Sequence, residues 1–232
     1  MTTYELFPAN WSASFEQKSR RIGIGFDVAT TTNAKSNPSS ITICQACGDI
    51  FFMRLVLAFK NRTPEVPLEI ILHIARNLPY GLKIGKVCID ATSERFFASS
   101  FAKKLKKNGI PCDLIDSSAS IEYLGEKMNY KCYLGNLLCN DFADGRIAMP
   151  NSEWLKNNIR QVYRTKGTFG ADVDGSGNHA DAFDSMKLAR YAVDTSVKKA
   201  SIEIPNFSKL RANNFPRSSK FKFTLPKRKL YT

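Results

Sequence analysis

Residues 21–32 read RIGIGFDVATTT, and the interpretation of the whole chain starts from this stretch. Isoleucine and phenylalanine alternate with glycine, which is typical of a β-strand. Gly23 and Gly25 indicate a place where another backbone or a ligand comes close to that strand. The strand ends at Asp27, and a carboxylate at the exit of a buried strand is costly unless a partner neutralises it. A metal ion is one such partner.

Two further stretches carry acids in comparable settings. Residues 86–90, KVCID, form an apolar run of strand length that ends in Asp90. Residues 178–186, NHADAFDSM, open a predicted helix in which Asp181 and Asp184 are three apart and therefore share one face. Two strand-end carboxylates plus one or two from a late helix can hold a pair of divalent cations about 4 Å apart, which clamps the attacking and leaving oxygens of a phosphodiester.

Hydrophobic periodicity and turn signals predict the order β-β-β-α-β-α-β, followed by helices. This order favours an α/β fold with a mixed sheet, antiparallel in its first three strands and then parallel, with helices on both faces. The first and middle strands are then parallel neighbours, which brings Asp27 and Asp90 together. The predicted strands are 21–28, 41–46, 50–59, 85–90 and 110–116, and the predicted helices are 64–78, 93–108, 130–142, 152–163 (with Ser152 as its N-cap) and 178–193. Residues 146–149 are predicted to be extended, and residues 166–177 to form a hairpin or a mobile loop.

Composition indicates a globular protein with a polyanionic partner. The chain has 232 residues, of which 43% are apolar and 24% charged, and its formal net charge is +13. The excess is concentrated in residues 206–232, which contain eight basic residues and no acid. We therefore expect an N-terminal arm or linker at 1–20, one domain at 21–205 and a flexible basic tail at 206–232.

The chain lacks the features of secreted and membrane proteins. It contains no apolar stretch long enough to span a bilayer, and residues 1–21 do not have the pattern of a secretory signal. Six cysteines without such a signal indicate reduced thiols, so we expect a cytoplasmic protein. Cys44 and Cys47 form a C-x-x-C pair without a matching second pair, so buried or edge cysteines are favoured over a zinc site.

Taken in order, GIGFDVA, VCID and HADAFD resemble the three motifs of the nuclease domain of the large terminase subunit of tailed bacteriophages, which has an RNase H-like fold. The resemblance covers residues 21–193. It implies that Asp27, Asp90 and Asp181 are metal ligands. It also places His179 and Asp184 beside them, as parts of the motif His-x-Asp-x-x-Asp.

The resemblance implies an endonuclease that cuts concatemeric double-stranded DNA during phage genome packaging. Asp27 would bridge two Mg²⁺ or Mn²⁺ ions, and Asp90 and Asp181 would each complete one coordination shell, with Asp184 as a further candidate ligand. His179 or Asp184 would orient a ligand or tune the attacking water. Sequence specificity should be low, because no base-reading module is visible.

Large terminases normally carry an ATPase domain ahead of the nuclease, and this chain has no G-x-x-x-x-G-K-[ST] phosphate loop. We therefore expect either an isolated nuclease domain or a standalone relative, without translocation activity of its own. The implied partners are a terminase ATPase domain, a small terminase subunit and a portal protein.

Each acid also has a purely structural interpretation. Asp27 could cap a turn at the strand exit. Asp90 could cap the helix that follows it. Asp181 could be the acidic partner of an N-cap at Asn178. Asp184 could be a ligand, an acid that orients a water, or a solvated helix residue.

Basic residues of the body of the chain are candidates for DNA contact. Lys103, Lys104 and Lys107 crowd the end of one predicted helix together with Lys106, where cations also suit the helix dipole. Lys166 opens a glycine-rich segment that could approach DNA. A solvated helix face and a flexible connector are the alternatives.

Two other functions remain compatible with the sequence. The first is a different RNase H-like nuclease, such as a junction resolvase or an RNA–DNA hybrid nuclease. The second is a non-catalytic DNA-binding packaging module that uses the basic tail.

Overall fold

A computed structural model describes residues 7–30, 37–165, 168–172 and 180–196. The described elements include ten strands and five α-helices. The strands are β1 Arg21–Asp27, β2 Ser39–Cys47, β3 Ile50–Phe59, β4 Lys86–Asp90, β5 Cys112–Ile115, β6 Ser120–Tyr123, β7 Glu126–Asn129, β8 Ile147–Ala148, β9 Val162–Thr165 and β10 Thr168–Ala171. The helices are α1 Glu65–Asn77, α2 Arg95–Lys107, α3 Tyr130–Ala143, α4 Glu153–Arg160 and α5 Asp181–Ser196.

Six of the strands form one mixed sheet in the order β5-β4-β1-β2-β3-β8. Strands β1, β2 and β3 pair antiparallel, whereas β4 pairs parallel with both β1 and β5. The short β8 adds a parallel edge beside β3. The predicted mixed sheet is confirmed, and so is the parallel pairing of the first strand with the middle strand.

Helices cover both faces of this sheet. One core lies between the sheet and the helices α1 and α2, and it contains apolar residues of β1 to β4, including Ile24 and Phe26. On the other face α3, α4 and α5 form a second core with Met53, Leu138 and Met186. The helix α5 crosses this second face directly over β1 and β2.

The structure differs from the sequence-based prediction at several places. The helix α4 ends at Arg160, and the following residues form the strand β9 instead of continuing the helix. Ser152 caps α4 as predicted, since its hydroxyl accepts the backbone N–H of Leu155. The hairpin of β6 and β7 was not predicted. Phe96 fits the helical spacing of the apolar residues of α2, which predicts that it is buried, but it is almost fully exposed.

Residues 7–20 pack against the domain. Trp11–Ser14 form a 3₁₀ turn, and Phe15 is buried in the core beneath α1. The ring of Phe7 lies 4.6 Å from the ring of His73 on α1. The described part of the predicted arm therefore contributes to the fold. None of the described helices is long and apolar enough to cross a membrane.

Candidate active site

Strand alternation places two of the predicted acids side by side. Phe26 of β1 and Ile89 of β4 are partners in the parallel register, and both point into the core beneath α1 and α2. The next residue of each strand therefore lies on the opposite face, which faces α5. These residues are Asp27 and Asp90. Because parallel strands run in the same direction, their carboxyl ends lie at the same end of the sheet, and the two carboxylates lie side by side there.

Two glycines of β1 allow the backbone of α5 to lie directly on this strand. A Cβ atom added at Gly25 would lie 2.0 Å from the carbonyl oxygen of Ser185 and 2.3 Å from the amide nitrogen of Ala189. A Cβ atom added at Gly23 would lie 2.5 Å from the amide nitrogen of Val193. The sequence predicted such a close approach, and the approaching group is the α5 backbone.

Buried hydroxyl groups hold α5 in place over the sheet. The Ser185 Oγ lies 2.8 Å from Ser40 Oγ and 2.7 Å from Thr42 Oγ1, and all three residues are buried. Ser40 is the β2 residue directly opposite Asp27 in the register. These hydrogen bonds therefore hold the second turn of α5 beside the end of β1.

The charges of Asp90, Asp181 and Asp184 act on the fourth predicted carboxylate, Asp27. Burial raises the pKa of Asp27 well above its usual value, and the negative charges of Asp184, Asp90 and Asp181 raise it further. The positive charge of Lys187 acts in the opposite direction. The structure thus brings together carboxylates that lie up to 157 residues apart in the sequence.

Asp181, the first residue of α5, shows the same crowding. Its pKa is raised to about 7, mainly by burial and then by the charge of Asp184, against the lowering effects of its own backbone N–H and of Lys60. Lys60 follows the last residue of β3 and is exposed. Since β3 runs parallel to β1, Lys60 lies at the same edge of the sheet as the acids.

Asp90 is held by a hydrogen-bonded turn. Its Oδ1 accepts hydrogen bonds from the backbone N–H and the hydroxyl of Thr92, and its Oδ2 accepts one from the Ser117 hydroxyl at 3.1 Å. The helix α2 begins at Arg95 with Glu94 in the capping position. Asp90 therefore does not cap this helix, and its neighbours fix the orientation of the carboxylate.

Lys187 is a residue of this site that the sequence analysis missed. It is 2% exposed, and its ammonium group donates to the carboxylate of Asp184, three residues earlier on α5. The only signal in the sequence was the i, i+3 spacing of an acid and a base, which is equally common on solvated helix faces.

The described residues suit a divalent cation by chemistry and by charge. The donors are carboxylate oxygens, the ligands that Mg²⁺ and Mn²⁺ prefer, and a bound cation would relieve the repulsion that raises the pKa of Asp27. A completed coordination shell is not formed: within the described ranges, no group of three or more His, Cys, Asp and Glu side chains is arranged as a metal site. Asp184 is engaged by Lys187, and Asp90 is held by hydroxyl groups.

Three of the four lysines predicted to contact DNA lie away from the acids. The helix α2 starts beyond Asp90 and runs back along the sheet for 13 residues, or roughly 20 Å. Lys103, Lys104 and Lys107 are in its last turns, and Lys104 pairs with Glu65 of α1. They therefore lie near the opposite end of the sheet from the carboxylates.

Other predicted residues lie outside the described part of the chain. These are His179 and Lys166, together with the basic tail at 206–232. Their predicted roles stay predictions.

Comparison with solved structures finds this architecture in viral terminases. The large terminase nuclease of the thermophilic phage G20c matches with a TM-score of 0.51 and 17% identity, over 73% of this chain and 81% of that one. The human cytomegalovirus terminase nuclease domain matches with a TM-score of 0.50 and 12% identity, over 78% of this chain and 87% of that one. The large terminase of a further thermophilic bacteriophage matches with a TM-score of 0.53 and 11% identity. That match covers 80% of this chain but only 43% of the longer terminase.

The chain therefore has an RNase H-like fold, as the motifs predicted. Within that class the matched structures are terminase nuclease domains, so the predicted resemblance is confirmed at the level of the fold. No protein-family model matches the chain, and no curated protein matches its sequence.

Proposed function

We propose that this protein is a metal-dependent DNA endonuclease that cuts double-stranded DNA during the packaging of a viral genome. One observation carries the proposal: Asp90, Asp181 and Asp184 lie close enough to Asp27, at one end of an RNase H-like sheet, for their charges to raise its pKa. The similarity of the fold to terminase nucleases supports a role in packaging.

In this proposal Asp27, Asp90 and Asp181 hold two Mg²⁺ or Mn²⁺ ions. When bound, such ions supply a nucleophilic water at neutral pH and stabilise the leaving oxygen. The charges of all three other carboxylates act on Asp27. Ser117 and Thr92 keep the Asp90 carboxylate in one orientation. His179, just ahead of α5, is proposed to orient a ligand or the attacking water.

The substrate contacts are proposed from charge. Lys60 is exposed beside Asp181, so its ammonium group can bind a DNA phosphate next to the cutting position. The positively charged tail at 206–232 would add contacts with the DNA backbone that do not depend on sequence. Low sequence specificity follows, because phosphates carry no base information.

A partner that supplies ATP hydrolysis is part of the proposal. The longer phage terminase, of which this chain covers less than half, was also solved in complex with ATP-γ-S. We propose that this chain works with an ATPase domain of that kind, together with a small terminase subunit and a portal protein.

Plasmid cleavage in Mg²⁺ or Mn²⁺, with EDTA as the blank, tests the catalytic assignment. Asp27→Asn should lower the cleavage rate about 10³-fold, which corresponds to a loss of about 4 kcal/mol of transition-state stabilisation. Asp113→Asn is the matched control, because Asp113 is an exposed strand acid of β5 paired with Lys86. It should cut at the wild-type rate.

Three outcomes would contradict the proposal. Cleavage that survives Asp27→Asn would show that the site is wrongly assigned. Cleavage of RNA–DNA hybrids or four-way junctions alone would identify a different RNase H-like nuclease. Binding of DNA without any cutting in Mn²⁺ would identify a binding module.

A further inference from the structure

Lys187 is a buried lysine inside the carboxylate cluster. It is 2% exposed, and lysine is almost never buried to this extent unless it is paired. Its ammonium group donates to Asp184, and its charge also acts on Asp27. The cluster therefore contains its own cation, which is carried by the same helix as two of the acids.

A second lysine of the chain shows what an ordinary pair of this spacing looks like. Lys156 pairs with Glu153 of α4 at 2.8 Å, also three residues apart, with side chains that are 32% and 75% exposed. Exposed pairs of this kind contribute little to stability. The Lys187 side chain is 1% exposed, so its charge is poorly screened and acts on Asp27 as well as on its partner Asp184.

The position of Lys187 follows from the packing of α5. Its neighbours on the helix, Ser185 and Leu188, are fully buried against the sheet, where the Ser185 hydroxyl forms a hydrogen bond with Ser40 of β2. Lys187 is itself buried in this packed helix, and its ammonium group is paired with Asp184.

We propose that Lys187 is a built-in counter-cation, which pairs with Asp184 and whose charge opposes the binding of a divalent cation by the carboxylate cluster. In the metal-free protein its ammonium group neutralises Asp184 and keeps the cluster folded. Asp184 becomes a ligand only when this ion pair opens. Lys187 is in this sense a positioning residue that weakens the affinity for one of the ions. The inference rests on the proposed nuclease function, because it requires the cluster to bind divalent cations.

The experiment measures Mn²⁺ and Mg²⁺ binding by titration calorimetry on the full chain, with melting temperatures recorded in EDTA and in Mg²⁺. Lys187→Met removes the charge and keeps an unbranched side chain that is one atom shorter. This variant should bind Mn²⁺ about tenfold more tightly, because a like charge has left a poorly screened site. Its melting temperature in EDTA should be lower than that of wild type, and Mg²⁺ should raise this temperature by more than it does in wild type.

Two controls separate charge from packing. Lys187→Arg keeps the charge and should retain affinity close to that of wild type. Lys156→Met removes the matched exposed lysine of α4 and should change neither the affinity nor the melting temperature. Equal Mn²⁺ affinities of wild type and Lys187→Met, or weaker binding by the variant, would overturn the proposal.

A second comparison applies if Lys187→Met does not fold. Asp184→Asn should weaken Mn²⁺ binding. The double variant Asp184→Asn/Lys187→Met should bind Mn²⁺ about tenfold more tightly than Asp184→Asn does. Equal affinities of these two variants would overturn the role of Lys187. A wild-type protein that binds neither ion and cuts no DNA would instead overturn the proposed function itself.

Discussion

Gly25 lies beneath the backbone of α5, and replacing it with alanine should push this helix away from the sheet. The new Cβ atom would lie 2.0 Å from the carbonyl oxygen of Ser185, 2.3 Å from the amide nitrogen of Ala189 and 2.8 Å from the Cβ of Leu188. Cβ atoms are essentially never found within 3.0 Å of such atoms. Two of the three are backbone atoms of a buried helix, so no side-chain rotation relieves the overlap. The helix must move by roughly 1 Å.

The expected cost follows from this displacement. Overpacking of a well-packed core costs typically 1–3 kcal/mol, and a clash with backbone belongs at the upper end, at about 3 kcal/mol. For a chain of this size each kcal/mol lowers the melting temperature by roughly 2–4 °C, so we expect a loss of about 6–12 °C. The hydrogen bonds from Ser185 to β2 should also lengthen.

The same displacement should affect the proposed activity. Asp181 and Asp184 are carried by α5, whereas Asp27 stays on β1, so the shift changes the spacing of the carboxylates. A misplacement of about 1 Å can cost roughly 10²-fold in rate. We expect a loss of this order in plasmid cleavage, measured well below the melting temperature of the variant.

Gly48→Asn provides the control. Gly48 has a φ of 59°, which asparagine tolerates, and nothing lies within 4 Å of the added Cβ atom. It lies in the turn between β2 and β3, at the end of the sheet away from Asp27. This variant should melt and cut like wild type. A Gly25→Ala protein that melts within about 2 °C of wild type would refute the direct packing of α5 on β1.

Two further predictions concern buried charges. Asp181 has a pKa of about 7 in the folded protein against 3.8 for the ordinary side chain, so the folded state keeps a proton that the unfolded chain loses. The contribution of this proton to the free energy of unfolding is fully present below about pH 4 and is lost as the pH rises to about 7, by up to about 4 kcal/mol. Asp181→Asn should therefore flatten the dependence of the unfolding free energy on pH, measured by urea unfolding in EDTA. An equal dependence in both proteins would contradict the assignment. Asp141 is 1% exposed and pairs with Arg190 and Arg146, so Asp141→Ala should lower the free energy of unfolding by about 3–5 kcal/mol in the same assay. Asp144 is exposed, and Asp144→Ala should cost about 1 kcal/mol or less. Similar costs for the two variants would contradict a buried network.

The sheet could be predicted from the sequence because its strands carry strong local signals. Strand β1 alternates apolar residues with glycine, and the two strands that follow are joined by a short turn at Gly48. Chain order then leaves few topologies, because parallel connections are right-handed and short connections pair neighbours. The meeting of Asp27 and Asp90 follows from that topology and from strand alternation alone.

Other elements could not be predicted because they lack such local signals. The strands β6, β7 and β9 have four residues each and are mostly exposed, so they show no apolar alternation. Val162 and Tyr163 continue the apolar spacing of α4, and only pairing with β10 makes them a strand. Phe96 matches the helical period of α2 but lies on its solvent side, since the period does not fix where the apolar face begins and ends.

Lys187 marks the limit of prediction from sequence at the candidate site. The spacing of Asp184 and Lys187 identifies a pair on one helix face, but it does not show whether that face is exposed to solvent or buried. The deciding information lies about 160 residues earlier, in the glycines of β1 that admit the α5 backbone. Because Gly25 removes the side chain that would hold α5 away, the pair is pressed against the sheet next to Asp27. The glycine pattern that defines the first strand therefore also allows a lysine charge, and not only carboxylates, to be buried in this site.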